Sequence, residues 1–293
     1  MPGPLSFYHP ETTADAVRLL AELGEDGKVV AGGTALTLLL RQGLITPRAL
    51  VSLARVGGLA GIEVRDGDLL LGALVRHREV ETSQLVRAQL PVVADTFGKV
   101  ANVRIRNVAT VGGVLAESDY ASDPPALLRA LDAVVETVGP AGERSIPIAD
   151  FFVAFYETSL HPDEIVTGVR IPVLPEGTGA VYEKYVTRSS EDRPCVGVAA
   201  VVRVEPDGTC RDLRVAVGAA AEVPQRFREV EERGVGSRLE PDVIRDVADR
   251  YAAAIEPLDD IRGSAWYRRE MVRVWVGRAI ESAHREALRS GHD

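Results

Sequence analysis

The stretch from Lys28 to Gly43 limits what this chain can fold into more than any other. Lys28-Val29-Val30 reads as a short apolar strand, Ala31-Gly32-Gly33-Thr34 as a glycine turn, and Ala35 to Gly43 as a helix closed by glycine. The first N–H groups of a helix have no intrahelical partner and lie at the positive end of its dipole. A strand-glycine-helix junction therefore seats a phosphate without any charged side chain. No Lys-Ser/Thr pair follows the glycines, so this is not a Walker A loop, and the third glycine of a Rossmann turn is absent. On its own residues it reads either as a tight turn or as a ligand seat.

A second copy shifts the balance. Val108-Ala109-Thr110-Val111-Gly112-Gly113 again places a small residue, Thr, an apolar residue and paired glycines after a β-prone run. Two such loops facing each other as backbone nests would hold two phosphates, the geometry needed to clasp a dinucleotide pyrophosphate from both sides.

The 293 residues suffice for two or three modest domains. A formal net charge of -9, with no Lys/Arg-rich run, argues against nucleic acid or an anionic membrane as partner. Cys195 and Cys210 are the only cysteines, so the chain cannot itself carry a four-cysteine iron-sulfur cluster. Met1-Pro2-Gly3-Pro4 lacks signal-peptide character and no apolar run reaches membrane-spanning length, so a cytoplasmic location is expected.

In order, Leu5 to Tyr8 is a strand, and Thr12 or Thr13 caps a helix that ends at Gly24 and leads into the first loop. Leu50 to Leu53 is a strand, and Ile62 to Arg65 pairs with Leu69 to Leu71 through Asp66-Gly67. Pro91 opens a helix with an apolar stripe of Val93, Phe97 and Val100. Asp123, just before Pro124-Pro125, reads equally as a helix N-cap or as an acceptor for a ribose hydroxyl. Phe151, Phe152, Phe155 and Tyr156 read as core. After a Pro/Gly-rich linker from Pro172 to Gly179, three strands (Val181 to Val186, Val196 to Val204, Leu213 to Val217) predict an antiparallel meander. Helices follow, the last expected over Met271 to Ala287.

The chain resembles the FAD-binding medium subunits of the molybdenum hydroxylases, the family of xanthine dehydrogenase and carbon monoxide dehydrogenase. The resemblance rests on Phe7-Tyr8-His9-Pro10, Ala31-Gly32-Gly33-Thr34, Gly72-Ala73, Ile105-Arg106-Asn107, Thr110-Val111-Gly112-Gly113, Asp123, Asp163-Glu164-Ile165, Lys184, Asp260-Ile261-Arg262-Gly263-Ser264 and Tyr267-Arg268. It implies an α+β chain with a two-lobed FAD-binding domain of the vanillyl-alcohol-oxidase (PCMH) type, at residues 1–176 with lobes of about 1–56 and 57–176. A C-terminal α/β domain at 177–293, with a three-stranded antiparallel sheet and helices, follows. It further implies that the backbones of Val29, Val30, Ala31, Gly32, Gly33, Thr34 and Ala35 and of Thr110, Val111, Gly112, Gly113 and Val114 hold the FAD pyrophosphate. Asp123 would bind ribose, and Val166 and Lys184 would lie near the adenine and flavin. Arg104 and Arg106 are candidates for ordering the second loop or touching the flavin and stay outside the site. No catalytic residue and no metal ligand is assigned to this chain. The implied partners are a small subunit with [2Fe-2S] clusters and a large molybdopterin subunit, assembled as a dimer of heterotrimers, with electrons passing from clusters to flavin to an external acceptor.

Two positions depart from the family pattern. Ala35 stands where Asp, Ser or Glu is usual, and Val114 where Asn or Asp is usual. A lost neutral hydrogen bond is worth about 0.5–1.5 kcal/mol. Burying an aromatic system contributes on the order of 4–6 kcal/mol, so flavin binding is expected to survive both losses. The substitutions motivate a rival reading, a degenerate member with a structural or docking role. A stand-alone flavin oxidoreductase ranks third, because the sequence offers no obvious His or Cys general base next to either loop.

Overall fold

The computed structural model describes residues 5 to 290, so the Met1-Pro4 segment considered above lies outside the described residues. The first lobe contains β1 (Ser6–Tyr8), α1 (Thr13–Leu23), β2 (Gly27–Val30), α2 (Leu36–Arg41) and β3 (Ala49–Ser52). Its sheet is parallel with order β1-β3-β2. Thr12 caps α1 by accepting from the Asp15 N–H, and Gly24, at φ 54°, ends it. Ala16, Val17 and Leu20 of α1 pack on Val51, Leu53 and Ile165 in a small core of their own.

The second lobe opens with the hairpin β4 (Ile62–Arg65) and β5 (Asp68–Gly72). Asp66 and Gly67 both have positive φ, as a two-residue turn matched to strand twist requires. Short helices follow: α3 (His77–Thr82), α4 (Gln84–Gln89), α5 (Pro91–Gly98), α6 (Val103–Arg106), α7 (Val111–Glu117) and α8 (Pro124–Ala130). Next come β6 (Val134–Gly139), β7 (Gly142–Pro147), α9 (Ile148–Phe151), β8 (Phe152–Ala154), β9 (Glu157–Thr158) and β10 (Ile165–Pro172). The sheet order β4-β5-β10-β6-β7 puts β10 in the centre, paired antiparallel on both sides. Leu69, Leu71, Val135, Val169 and Ile171 of this sheet share a core with Val93 and Phe97 of α5 and Leu127 and Leu128 of α8.

The C-terminal region is an antiparallel sheet of β11 (Thr178–Tyr185), β12 (Val196–Val204) and β13 (Cys210–Gly218), then α10 (Arg228–Glu231), α11 (Pro241–Ala254) and α12 (Ala265–Ser290). Both faces of this sheet are covered. Val198, Ala200 and Val202 pack with Val247 and Tyr251 of α11 and Val272, Val276 and Ile280 of α12. Tyr182, Ala199, Val201 and Ala216 join the core of the second lobe, against α8. α12 starts six residues before the expected Met271, because the Ala265 N–H donates to Asp259 Oδ1 (2.8 Å) and the Tyr267 N–H to Ser264 Oγ (3.2 Å). The motif Asp260 to Arg268 is a clamp: Asp260 pairs with Arg262 (2.7 Å) and with fully buried Arg268 (2.6 Å), and accepts from Tyr120 Oη (2.6 Å). The architecture is the α+β arrangement expected.

Candidate cofactor site

The parallel ladder of β2 with β3 ends at Val30, paired with Ser52, and the chain leaves the sheet through Ala31 to Ala35. Gly33 has φ +69°, a conformation costly for L side chains, and the first return bond runs from the Thr37 N–H to the Gly33 carbonyl. Among the described residues, nothing accepts from the N–H groups of Gly32 to Leu36, a run of half-exposed donors. Ala35 occupies the N-cap position of α2 and supplies no side-chain cap. A Cβ on Gly32 would lie 2.0 Å from the Val108 carbonyl oxygen, so the first loop touches the backbone leading into the second.

The second loop is not the nest its sequence suggested. The N–H groups of Val111, Gly112 and Val114 donate to the carbonyls of Val75, Ala73 and Thr110, and that of Gly113 to Thr110 Oγ1. The segment around Arg76 runs antiparallel beside Thr110 and takes the first two of these donors, which no local spacing could disclose, while Thr110 itself takes the other two. Gly112 is needed for contact, since a Cβ there would stand 2.6 Å from that of Ala73. Val114 is buried, 8 % exposed. The loop therefore forms a close-packed wall with its amides already bonded, next to the Val108 backbone that the first loop touches.

His77, overlooked in the sequence reading, lies against this wall. Its Nε2 is 3.2 Å from the Thr110 carbonyl oxygen, and its ring meets Phe97 edge-on at 4.9 Å. Burial pushes it down to about 4, with the Thr110 bond opposing, so it is neutral at physiological pH. His77 and Thr110 are 33 positions apart, so no sequence spacing signals the contact. Arg106 orders the approach to the loop, donating to the carbonyls of Val100 and Ala101 (both 2.9 Å) and pairing with Glu81 (2.9 Å).

Asp123 holds the N-cap position of α8 without capping it. Pro125, at the second helical position, lacks one of the two N–H groups a capping carboxylate can bind, and Asp123 itself has helical φ and ψ of -73° and -50°. The buried carboxylate instead accepts from Tyr182 Oη (2.8 Å) and Lys184 Nζ (3.0 Å), both on β11. Lys184 Nζ also donates to the Lys99 carbonyl (2.7 Å), while Lys99 Nζ donates to that of Tyr182. Val166 is buried in β10 opposite Thr137, beside an irregularity in the ladder.

α7 ends at Ser118, whose carbonyl accepts from the Tyr156 N–H (3.2 Å) and whose hydroxyl bonds the Glu157 carbonyl (3.1 Å). The aromatic cluster expected as core therefore divides: Phe151 is fully buried, but Phe155 and Tyr156, at the β8–β9 turn beside Ser118, are exposed. Nearby, burial and the neighbouring Asp119 push Glu117 up to about 7, against the pull of Arg193. Arg193 pairs with buried Asp119 at 2.6 Å.

Free donors on the first loop, a close-packed wall behind it and a buried carboxylate with spare acceptor capacity suit a pyrophosphate with an attached sugar. Residues 3–174 match the family described as the FAD binding domain in molybdopterin dehydrogenase, and residues 181–283 the CO dehydrogenase flavoprotein C-terminal domain. The chain belongs to the FAD-binding medium subunits of the molybdenum hydroxylases. This medium subunit is 34% identical to the carbon monoxide dehydrogenase medium chain of Afipia carboxidovorans, over 98% of this chain and 99% of that one. It is also 34% identical to the 6-hydroxypseudooxynicotine dehydrogenase complex subunit alpha of Paenarthrobacter nicotinovorans, over 96% and 95%. Carbon monoxide dehydrogenase from Hydrogenophaga pseudoflava superposes with a TM-score of 0.94 at 31% identity, covering 98% of this chain and 99% of that one. Among the described residues of the medium subunit, no helix is long and apolar enough to cross a membrane.

Proposed function

We propose that this medium subunit holds one FAD between its two lobes and relays electrons to it from a partner's [2Fe-2S] clusters, passing them on to an external acceptor. The observation that carries the reading is the run of free N–H groups from Gly32 to Leu36 against the Val108 backbone. The site comprises Val29 to Ala35 as the pyrophosphate seat, Thr110 to Val114 as its wall, Asp123 and Lys184 as the polar contacts to ribose and flavin, and Val166 as an apolar neighbour. When bound, FAD supplies the redox chemistry, while this chain supplies the seat, the orientation and the local field.

The assembly proposed is a dimer of heterotrimers in the cytoplasm, with an iron-sulfur small subunit and a molybdopterin large subunit. Its motivation is subtractive: two isolated, buried cysteines give the chain no metal relay of its own. The domain division proposed is 1–176 (lobes about 1–56 and 57–176) and 177–293. The purified chain, as isolated or after reconstitution, should show flavin absorption, and should co-elute with both partners on size-exclusion chromatography after co-expression. Absence of flavin after reconstitution would leave the structural or docking role as the better account. A chain that elutes alone while its partners associate would mark a self-contained flavoprotein.

A further inference from the structure

Tyr182 was not among the residues singled out in the sequence, yet it is buried (2 % exposed) and its hydroxyl ends on a carboxylate of the cofactor site. Tyr182 and Lys184 are two apart on β11, so their side chains leave the same face of the strand. Gly197 of β12 pairs with Lys184, diagonally next to Tyr182. A Cβ at Gly197 would lie 2.3 Å from the Tyr182 oxygen and 3.0 Å from Cζ, so the missing side chain is the space the phenol occupies. The backbone is pinned too, because the Tyr182 carbonyl accepts from Lys99 Nζ.

We propose that Tyr182 is a positioning residue of the FAD site: its hydroxyl, seated in the space left by Gly197, fixes the Asp123 carboxylate as an acceptor for a sugar hydroxyl of the cofactor. The inference rests on the reading of Asp123 as that acceptor. A carboxylate offers about four acceptor directions, and Tyr182 and Lys184 occupy two, leaving capacity for a ligand. Burial pushes Asp123 up from the ordinary carboxylate range, while Lys184, the Tyr182 hydroxyl and Lys99 pull it back. The phenol suits this task better than a second ammonium would. It donates without adding another charge to be desolvated, and burial and Asp123 raise its own ionisation well above the usual tyrosine range, so it remains a donor.

The test is FAD affinity of the apo-protein between pH 5.5 and 8.5, by quenching of flavin fluorescence, for the unaltered chain, Tyr182→Phe, Gly197→Ala and Asp123→Asn. Tyr182→Phe keeps the ring and removes one donor to the carboxylate, so Asp123 ionises later and affinity should fall, up to about tenfold, with the larger loss at the acid end of that range. Gly197→Ala, which displaces the hydroxyl without deleting it, should give the same pH-dependent loss. Asp123→Asn should bind weakly at every pH. A loss of equal size at all pH values in Tyr182→Phe would mark a packing role and overturn the proposal, as would unaltered affinity. Unaltered affinity in Asp123→Asn would instead overturn the underlying reading of Asp123.

Discussion

Lys184 Nζ stands 3.0 Å from Asp123 Oδ2, joining the first strand of the C-terminal sheet to the start of α8 across 61 residues of chain. Both side chains are more than nine-tenths buried, so neither charge has water as an alternative partner. Removing one member leaves the other uncompensated, which typically costs 3–5 kcal/mol. Lys184→Met should therefore lower stability by about 3–5 kcal/mol, read from urea unfolding. The double variant with Asp123→Asn should recover a large part of that loss. A cost below about 1 kcal/mol would show that the pair does not hold the two regions together.

Gly32 and Gly33 are adjacent but should respond differently to alanine. At Gly33 the added methyl meets nothing closer than 3.6 Å, and the cost is the positive φ, about 1–2 kcal/mol. At Gly32 it would sit 2.0 Å from the Val108 carbonyl oxygen, so the loops must separate. Flavin content after purification should drop further in Gly32→Ala than in Gly33→Ala; the reverse order would contradict the packing of the two loops.

His77 makes stability depend on acidity. Its ordinary value is 6.5 and its buried value about 4, so between these the unfolded chain binds more protons and folding weakens as pH falls. The stabilisation is fully present above about pH 6.5 and about 3 kcal/mol of it is lost by pH 4. His77→Gln, which retains a donor for the Thr110 carbonyl, should flatten the unfolding midpoint against pH in that window. An unchanged slope would assign the acid sensitivity to other groups.

The two departures from the family pattern lie in opposite environments. Ala35 is half-exposed at an uncapped helix start, so Ala35→Ser should stabilise α2 by about 0.5–1 kcal/mol and leave or improve FAD affinity. Val114 is buried, so Val114→Asn should cost about 1–3 kcal/mol in chemical denaturation if its amide finds no partner there. A large rise in FAD affinity in the two together would favour the degenerate-member reading.

What the sequence by itself determined is the local grammar. The strand-glycine-helix unit at Lys28 to Gly43, the Asp66-Gly67 hairpin, the Thr12 cap and the three-stranded meander follow from periodicity and from residues whose φ preferences or side-chain acceptors act within a few positions. The ordered set of short motifs was enough to mark the family before any contact was known. Tertiary structure decided how each polar group is spent. The amides of Val111 to Val114 look free in sequence, but the Ala73 to Val75 backbone and Thr110 take them. Asp123 reads equally as an N-cap or a ribose acceptor in sequence, but its carboxylate makes no cap and is taken by Tyr182 and Lys184 from another sheet. Phe155 and Tyr156 resemble Phe151 in sequence, yet the β8–β9 turn anchored on Ser118 leaves them in solvent while Phe151 is enclosed. Apart from the two amides that Thr110 takes locally, the deciding partner lies tens of residues away. Periodicity reports which face of an element is apolar, whereas the fate of a buried donor or acceptor depends on what the rest of the chain packs against it.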